Sequence, residues 1–437
     1  MENRFLKIIS FKDFYIWDAK RYYAEGFNSN VPRDLLGNHI KEESHKVKLS
    51  NFPDQTFKIL GISNSKGMFD AYTEIGKNIN QPYKKVENGY IAYNPYRINV
   101  GSIGFKTEKL QNDYISPAYV VFSCKDDLLP EYLFLLMRSS SFNKVIRENT
   151  SGSVRQNLSY KTLSQLEIPI PGVEEQRKLI ADYYQSLAES KKILDQAKEA
   201  RINLNNYFRK ELFIINKPKD KEKMFATVKC SSLSKRWDSW NQDIPFESTK
   251  YPFTDFGDCT IGEPQYGAGE KGLDEFTGIR YIRITDIHDD GSLNDDKISA
   301  AKSDSKYRLN DKDFLIARSG SVGKTFLYKE SDGPSIYAGY LIKYKLNEEI
   351  VLPEYILLYT KTDLFKVWVE TAQRISVQPN INAQEYLLSP IIVPPLEKQK
   401  EMVAIGIKFL NEAIDFRNKH KKAVININEE FCNKIFA

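Results

Sequence analysis

Leu129-Pro130-Glu131-Tyr132 returns as Leu352-Pro353-Glu354-Tyr355, a displacement of 352 − 129 = 223 residues. The same displacement carries Ser153-Val154-Arg155-Gln156-Asn157-Leu158 onto Ser376-Val377-Gln378-Pro379-Asn380-Ile381, Pro171 onto Pro394 and Gln176 onto Gln399. Upstream, Phe5, Trp17 and Asp18 meet Phe225, Trp237 and Asp238 at a displacement of 220, so a few residues were gained between. A long period present only twice describes one duplicated unit, whereas a solenoid stacks many short repeats. Each copy runs through a long variable segment, the Leu-Pro-Glu-Tyr element, an apolar Pro-rich stretch and a charged segment.

The charged segments predict long helices. In the first, Ile180, Tyr183, Leu187, Ser190, Leu194, Ala197, Arg201, Leu204 and Phe208 follow alternating steps of 3 and 4, a heptad seam with two polar interruptions. Displaced by 223, the positions become Val403, Gly406, Leu410, Ala413, Arg417, His420, Val424, Ile427 and Phe431; here Gly406, Arg417 and His420 weaken the seam. Pro171 and Pro395 precede the helices, where a missing N–H costs little. Each predicted helix is about 40 residues, hence about 60 Å long. Packing the two on each other hides both stripes, and the globular stretch between them favours an antiparallel pair. In the globular parts, 57–62, 90–93, 281–284 and 314–317 read as strands, the second and fourth after turns at Asn88-Gly89 and Asn310-Asp311. The fold class expected is α+β.

Composition narrows the class. The chain has 437 residues, enough for two to four domains. Its 41% hydrophobic and 13% aromatic content argues against disorder. Mean hydropathy is −0.49, and no apolar run reaches the ~18–20 residues of a bilayer span. The first residues lack the apolar core of a signal peptide, so a cytoplasmic soluble protein is expected. Lys and Arg number 63 against 58 Asp and Glu, and a net charge of +5 is too small to name nucleic acid as the partner. Cys124, Cys230, Cys259 and Cys432 form no Cys-x-x-Cys pair, and His39, His45, His288 and His420 stand apart from them. No zinc or redox motif can be written from that spacing.

Local motifs of enzymes fall short. Ser319-Gly320-Ser321-Val322-Gly323-Lys324-Thr325 ends like a P-loop, but Arg318 stands where that pattern needs its first glycine. The corresponding place in the first copy is Asn94-Pro95-Tyr96-Arg97-Ile98-Asn99-Val100-Gly101-Ser102-Ile103-Gly104. Both are strand-to-loop turns rich in small residues with an arginine nearby, suited to bringing backbone N–H groups and a guanidinium to a polyanion. Asn94-Pro95-Tyr96 lacks the second proline of the amino-methyltransferase element, and no acidic nuclease cluster is evident. Without an assembled set of acids, bases and donors, an enzyme is not expected.

Over essentially its full length the chain resembles the DNA-specificity subunit of type I restriction–modification systems. The resemblance rests on the duplicated plan, on YNPYRINVGSIG (93–104) and ARSGSVGK (317–324), and on the two Leu-Pro-Glu-Tyr elements. It also rests on SGSVRQNLSYKTLSQLEIPIPGVEEQRKL (151–179) and ISVQPNINAQEYLLSPIIVPPLEKQKEM (375–402), in the same order in both halves. Pro379 in place of Gln156 and the polar middle of the second helix are the departures.

The resemblance implies two mixed α/β target-recognition domains separated by two long helices that form an antiparallel coiled-coil spacer with a pseudo-two-fold repeat. The expected domains are 1–172 and 214–395 (with its linker), and the spacer helices are 173–213 and 396–437. Each domain would read half of a bipartite, asymmetric site in double-stranded DNA. A gap of about 6–8 base pairs spans roughly 20–27 Å, within a ~60 Å rod. Two methyltransferase subunits and restriction subunits would dock on the chain. S-adenosylmethionine, ATP and Mg would bind in those partners, and no cofactor or metal is expected here. Candidate DNA contacts are Asn64, Lys66, Tyr93, Arg97, Ser102, Arg155 and Gln156 in the first domain. In the second they are Arg283, Asp286, Arg318, Ser319, Ser321, Lys324, Arg374 and Gln378. Arg155 and Gln378, close to the helices, also suit domain–helix packing or methyltransferase docking. Alternative readings are a specificity subunit of a type IIB-like system and a free-standing DNA-binding coiled-coil protein.

Overall fold

In the computed structural model the described residues are 29–64, 67–149, 157–217, 244–273, 275–373 and 379–436. The expected pairing of Phe5, Trp17 and Asp18 with Phe225, Trp237 and Asp238 lies outside them, as does Cys230. Eight helices occur among the described residues: α1 (Pro130–Arg138), α2 (Ser140–Asn149), α3 (Tyr160–Ser164), α4 (Val173–Glu211), α5 (Pro353–Lys361), α6 (Asp363–Ala372), α7 (Ala383–Leu387) and α8 (Leu396–Ile435). None is long and apolar enough to cross a membrane.

The contacts divide the chain into two compact units, residues 1–190 with 422–437, and residues 191–421. Each long helix is therefore shared between units rather than set apart as a body of its own. The physical reason is that side chains of both helices, on the seam and beside it, also enter the domain cores. Leu179, Phe431, Cys432 and Ile435 belong to the core of the first unit, and Leu204, Phe208, Met402 and Leu410 to that of the second.

In the first unit, residues 33–35 pair antiparallel with 167–169, Arg33 opposite Pro169. A four-stranded antiparallel sheet runs 40–42, 120–124, 91–93, 103–105. A five-stranded sheet runs 46–47, 83–85, 114–115, 56–63, 67–75. In the second unit, residues 253–255 pair with 390–392, Phe253 opposite Ile392. Against Arg33 and Pro169 these partners are displaced by 253 − 33 = 220 and 392 − 169 = 223. The matching four-stranded sheet runs 260–266, 341–346, 314–317, 325–327. Strands 280–282 and 335–337 form a parallel pair, and 272–273 pairs with 299–300.

The repeated residues hold equivalent hydrogen bonds. Helix α1 opens with Pro130 at its first turn, and no side chain caps it from within. Gln176, fully buried on the first turn of α4, supplies the missing partners. Its Oε1 accepts from the Leu129 N–H at 2.8 Å, while Nε2 donates to the carbonyls of Asp127 and Pro171 at 2.9 and 2.8 Å. In the second unit Gln399 Oε1 accepts from the Leu352 N–H at 2.8 Å, and Nε2 donates to Ile350 and Pro394 at 2.9 and 2.8 Å. Likewise Tyr132 donates its hydroxyl to Pro169 O at 3.0 Å and Tyr355 to Ile392 O at 2.6 Å. A buried glutamine with three backbone partners cannot be replaced without orphaning them, at about 1–3 kcal/mol per buried group. Gln176→Leu and Gln399→Leu are each expected to lower stability by about 3 kcal/mol or more. For a unit of this size the melting temperature should fall by about 6 °C or more. Thermal unfolding of each variant checks this, and a shift within about 1 °C would contradict it.

Each unit contains one end of α4 beside one end of α8. In the first, the Tyr183 ring meets Phe431 at 5.8 Å, its hydroxyl donates to Asn428 Oδ1 at 3.2 Å, and Lys434 pairs with Asp182 at 2.8 Å. In the second, Tyr207 meets Phe409 at 6.1 Å and Lys398 pairs with Glu211 at 2.6 Å. Rising numbers on one helix meet falling numbers on the other, so the segments are antiparallel in both units. Tyr132 packs on Phe431 and Tyr355 stacks on Phe208, so each repeated tyrosine touches the helix end contributed by the other copy.

None of the eighteen seam positions is exposed. Gly406, expected to weaken the seam, is instead a point of close approach: a Cβ there would lie 2.8 Å from Leu358 Cδ1 and 3.3 Å from a Phe208 ring carbon.

Candidate nucleic-acid interface

In the first unit the strand 91–93 ends in a turn where Asn94 Oδ1 accepts from the Tyr96 N–H at 3.0 Å. Gly101 closes the loop at φ 82°, a left-handed conformation natural to glycine. Tyr96, Arg97 and Val100 project from this loop into solvent. Asn64, also exposed, lies alongside; its Cβ is 3.7 Å from where a Gly101 Cβ would stand. Arg138 donates to the Asn64 carbonyl at 3.2 Å and lies over the Phe134 ring.

Two candidates of this unit are not surface groups. Tyr93 is fully buried and donates its hydroxyl to Leu158 O at 3.1 Å, and Ser102 is buried beneath the turn. The strand is covered on both faces, with Ile91 and Tyr93 in one apolar cluster and Ala92 in another, and Ser102 sits in the turn before the 103–105 strand, so neither has surface to offer a nucleotide.

In the second unit the strand 314–317 leads into the glycine-rich loop. The Arg318 guanidinium lies over the Tyr266 ring at 4.9 Å and donates Nε–H to Asn380 Oδ1 at 3.3 Å. Ser321 is exposed, and Ser319 is buried against Asn380. The two P-loop-like donors of this loop are already engaged within the protein. The Gly323 N–H is spent on Tyr386 Oη at 3.0 Å and Ala317 O at 3.1 Å, and Lys324 Nζ donates to Ile287 O at 3.0 Å. Val369 methyls would stand 2.9 and 3.0 Å from a Gly323 Cβ.

Arg283 and Asp286 satisfy each other. Asp286, buried, accepts from Arg283 Nε and Nη2 at 3.1 and 2.9 Å and from the Arg283 N–H at 2.8 Å. Asp286 is thus a structural cap of the 284–286 turn rather than a base contact, and Arg283 keeps only its partly exposed outer edge. Lys66, Arg155, Gln156, Arg374 and Gln378 lie outside the described residues.

Leu158 and Ile381 bond back to the two loops. The Leu158 N–H donates to Pro95 O at 3.0 Å, and the Ile381 N–H donates to Arg318 O at 2.9 Å. Donors and acceptors are both displaced by 223, so each unit brings its glycine-rich loop and its repeated Asn-Leu/Ile element together in the same way. Exposed tyrosines flank both loops: Tyr96 in the first, Tyr266 and Tyr340 in the second. These escaped the sequence reading. Tyr96 adjoins Arg97 and was legible, whereas Tyr340 reaches Arg318 only through the sheet, its carbonyl accepting from the Arg318 N–H at 2.9 Å.

Behind the second loop a cleft of about 280 Å³ is lined by Arg201, Asp289, Lys324, Lys361, Lys366 and Glu370 among others. Burial pushes the Lys361 ammonium down to about 7, while its Nζ donates to Thr325 O and Oγ1 at 2.9 and 2.8 Å.

The geometry defines a mixed α/β module built twice, each copy with a paired surface loop. Residues 53–204 and 270–426, more than half of the chain, match the type I restriction modification DNA specificity domain, and the chain belongs to that family, carrying the domain twice. It is 30% identical over 145 residues to the specificity subunit of the type I restriction enzyme MjaIX of Methanocaldococcus jannaschii, covering 30% of this chain and 33% of that one. It is 22% identical over 270 residues to the EcoBI specificity subunit of Escherichia coli, covering 59% of this chain and 54% of that one. The matches thus span about a third and about half of these relatives. A chain from a solved structure on complex assembly and conformational transition of the type I R-M system is 15% identical, with a TM-score of 0.47, covering 93% of this chain and 97% of that one.

Proposed function

We propose that this chain is the sequence-specific DNA-recognition subunit of a type I restriction–modification complex. The observation that carries the reading is the repeated loop junction, Leu158 on Pro95 and Ile381 on Arg318, in both copies of a DNA specificity domain. One module would read each half of a bipartite site. Exposed arginine and polar side chains suit base edges, the tyrosines offer flat apolar contacts, and basic side chains suit phosphates. Helices α4 and α8 would act as a coiled-coil spacer that fixes the gap, because each contributes residues to both units.

In the same reading two methyltransferase subunits and the restriction subunits dock on this chain. S-adenosylmethionine, ATP and Mg would be bound by those partners, and this chain would supply recognition and assembly without chemistry of its own. A cytoplasmic location follows from the substrate. The test is co-expression with the methyltransferase subunit, co-purification and footprinting. The expected result is a stable complex that protects two short DNA segments with an indifferent gap. A chain that footprints DNA alone and binds no methyltransferase would favour a free-standing binder instead.

A further inference from the structure

The seam of the second unit holds two arginines where a coiled coil wants apolar groups, Arg201 on α4 and Arg417 on α8. At the positions related to them by 223 residues stand Val424 and Leu194, so the polar pair belongs to one half only. Both arginines converge on Asp290, whose side chain is wholly shut off from solvent. Asp290 pairs with Arg417 Nη1 and lies 3.7 Å from Arg201 Nη2. Its Oδ1 accepts from the Ser292 N–H at 3.0 Å and the Ser292 hydroxyl at 2.6 Å, and Ser292 Oγ accepts from Arg417 Nη1 at 3.0 Å. Burial alone would raise the Asp290 carboxyl, but Ser292 and the two guanidiniums more than offset it and hold it below its ordinary value.

The loop that carries Asp290 is braced against three elements. Gly291, at φ 84°, presses on α5: a Cβ there would lie 2.8 Å from Lys361 Nζ and 3.1 Å from Leu357 Cδ1. Lys421 of α8 donates to Asp295 Oδ2 at 3.2 Å. Lys324 of the glycine-rich loop donates to Ile287 O at 3.0 Å and pairs with Asp289 at 3.5 Å. One short loop therefore joins both helices of the seam to the loop that presents Arg318. A buried ion pair contributes little net stability compared with packed apolar groups, yet it fixes one geometry because any slip strands a charge.

We infer that Asp290 is a positioning residue: by clamping Arg201 and Arg417 it sets the angle at which the second recognition module stands on the two helices, and so the sharpness of the gap between the half-sites. The inference rests on the bipartite reading proposed above. The test selects DNA from a library in which the two half-sites are separated by every gap from none to twelve base pairs, using the complete methyltransferase complex. The wild type is expected to favour one gap over its neighbours by about tenfold or more. Asp290→Asn keeps the shape and the Ser292 contacts but removes the charge, and this preference should fall to about threefold or less with both half-site sequences unchanged.

Ser292→Ala, which keeps the carboxylate and loosens its support, should give an intermediate preference and carries the test if Asp290→Asn does not assemble. An assembled variant as gap-selective as the wild type overturns the clamp. A wild type with no bipartite site at all overturns the functional reading instead, and the two failures are told apart by the wild-type selection.

Discussion

Deleting one heptad from each long helix, residues 187–193 of α4 and 421–427 of α8, is expected to give a folded chain that reads the same half-sites about 3 base pairs closer together. Seven residues advance a helix by about 10.5 Å, and a base pair occupies about 3.4 Å. The seam steps by 3 and 4 throughout, so a whole heptad removed from both sides leaves every remaining knob in register. Inserting seven residues after Leu194 in α4 alone should do the opposite. It displaces Tyr207 and Glu211 from Phe409 and Lys398, or Tyr183 and Asp182 from Phe431 and Lys434, since one set cannot follow the other. That variant should lose assembly or melt far below the wild type. A folded double deletion that recognises the original gap would remove the helices from the role of ruler.

Arg97→Ala and Arg318→Ala are each expected to weaken DNA binding by about 5- to 150-fold, the range of one base contact worth about 1–3 kcal/mol. Co-purification with the methyltransferase subunit should be unaffected, because neither side chain lies on the helices. Arg97 stands in solvent at the tip of its loop. Arg318 rests on Tyr266 and Asn380, which orient the guanidinium before any ligand arrives. If either arginine serves a phosphate instead of a base edge, the salt dependence of binding should become shallower by about one counterion. Unchanged affinity in both variants, measured by gel shift, would take the two loops out of the interface.

The frame was legible because the duplication prints it twice. The helices expected after Pro171 and Pro395 begin at Val173 and Leu396, and the strand expected at 314–317 occupies those residues. The strand expected at 57–62 runs from Thr56 to Ser63. The roles of single polar residues were less legible, because a partner's distance in sequence hides it. Tyr93 and Asp286 were expected at the DNA, yet one is buried on Leu158 and the other caps its own turn against Arg283. Arg201 and Arg417 appeared as interruptions of a seam, since the carboxylate that satisfies them lies 290 − 201 = 89 and 417 − 290 = 127 residues away. The five-stranded sheet of the first unit was not foreseen either. It belongs to the part of the repeat that varies, where the second copy builds short pairs instead.

Charge illustrates the same point. The excess of five positive charges in the whole chain does not indicate a surface; the proposed interface rests on where Arg97 and Arg318 stand in their two related loops.

Sequencing the methylated bases in a host that expresses this chain with its methyltransferase subunit tests the central claim most directly. The account predicts one asymmetric motif made of two defined halves and an indifferent gap of fixed length. Exchanging residues 244–373 for those of a relative should change one half and leave the other intact. A single uninterrupted motif, or a change in both halves after that exchange, would contradict it.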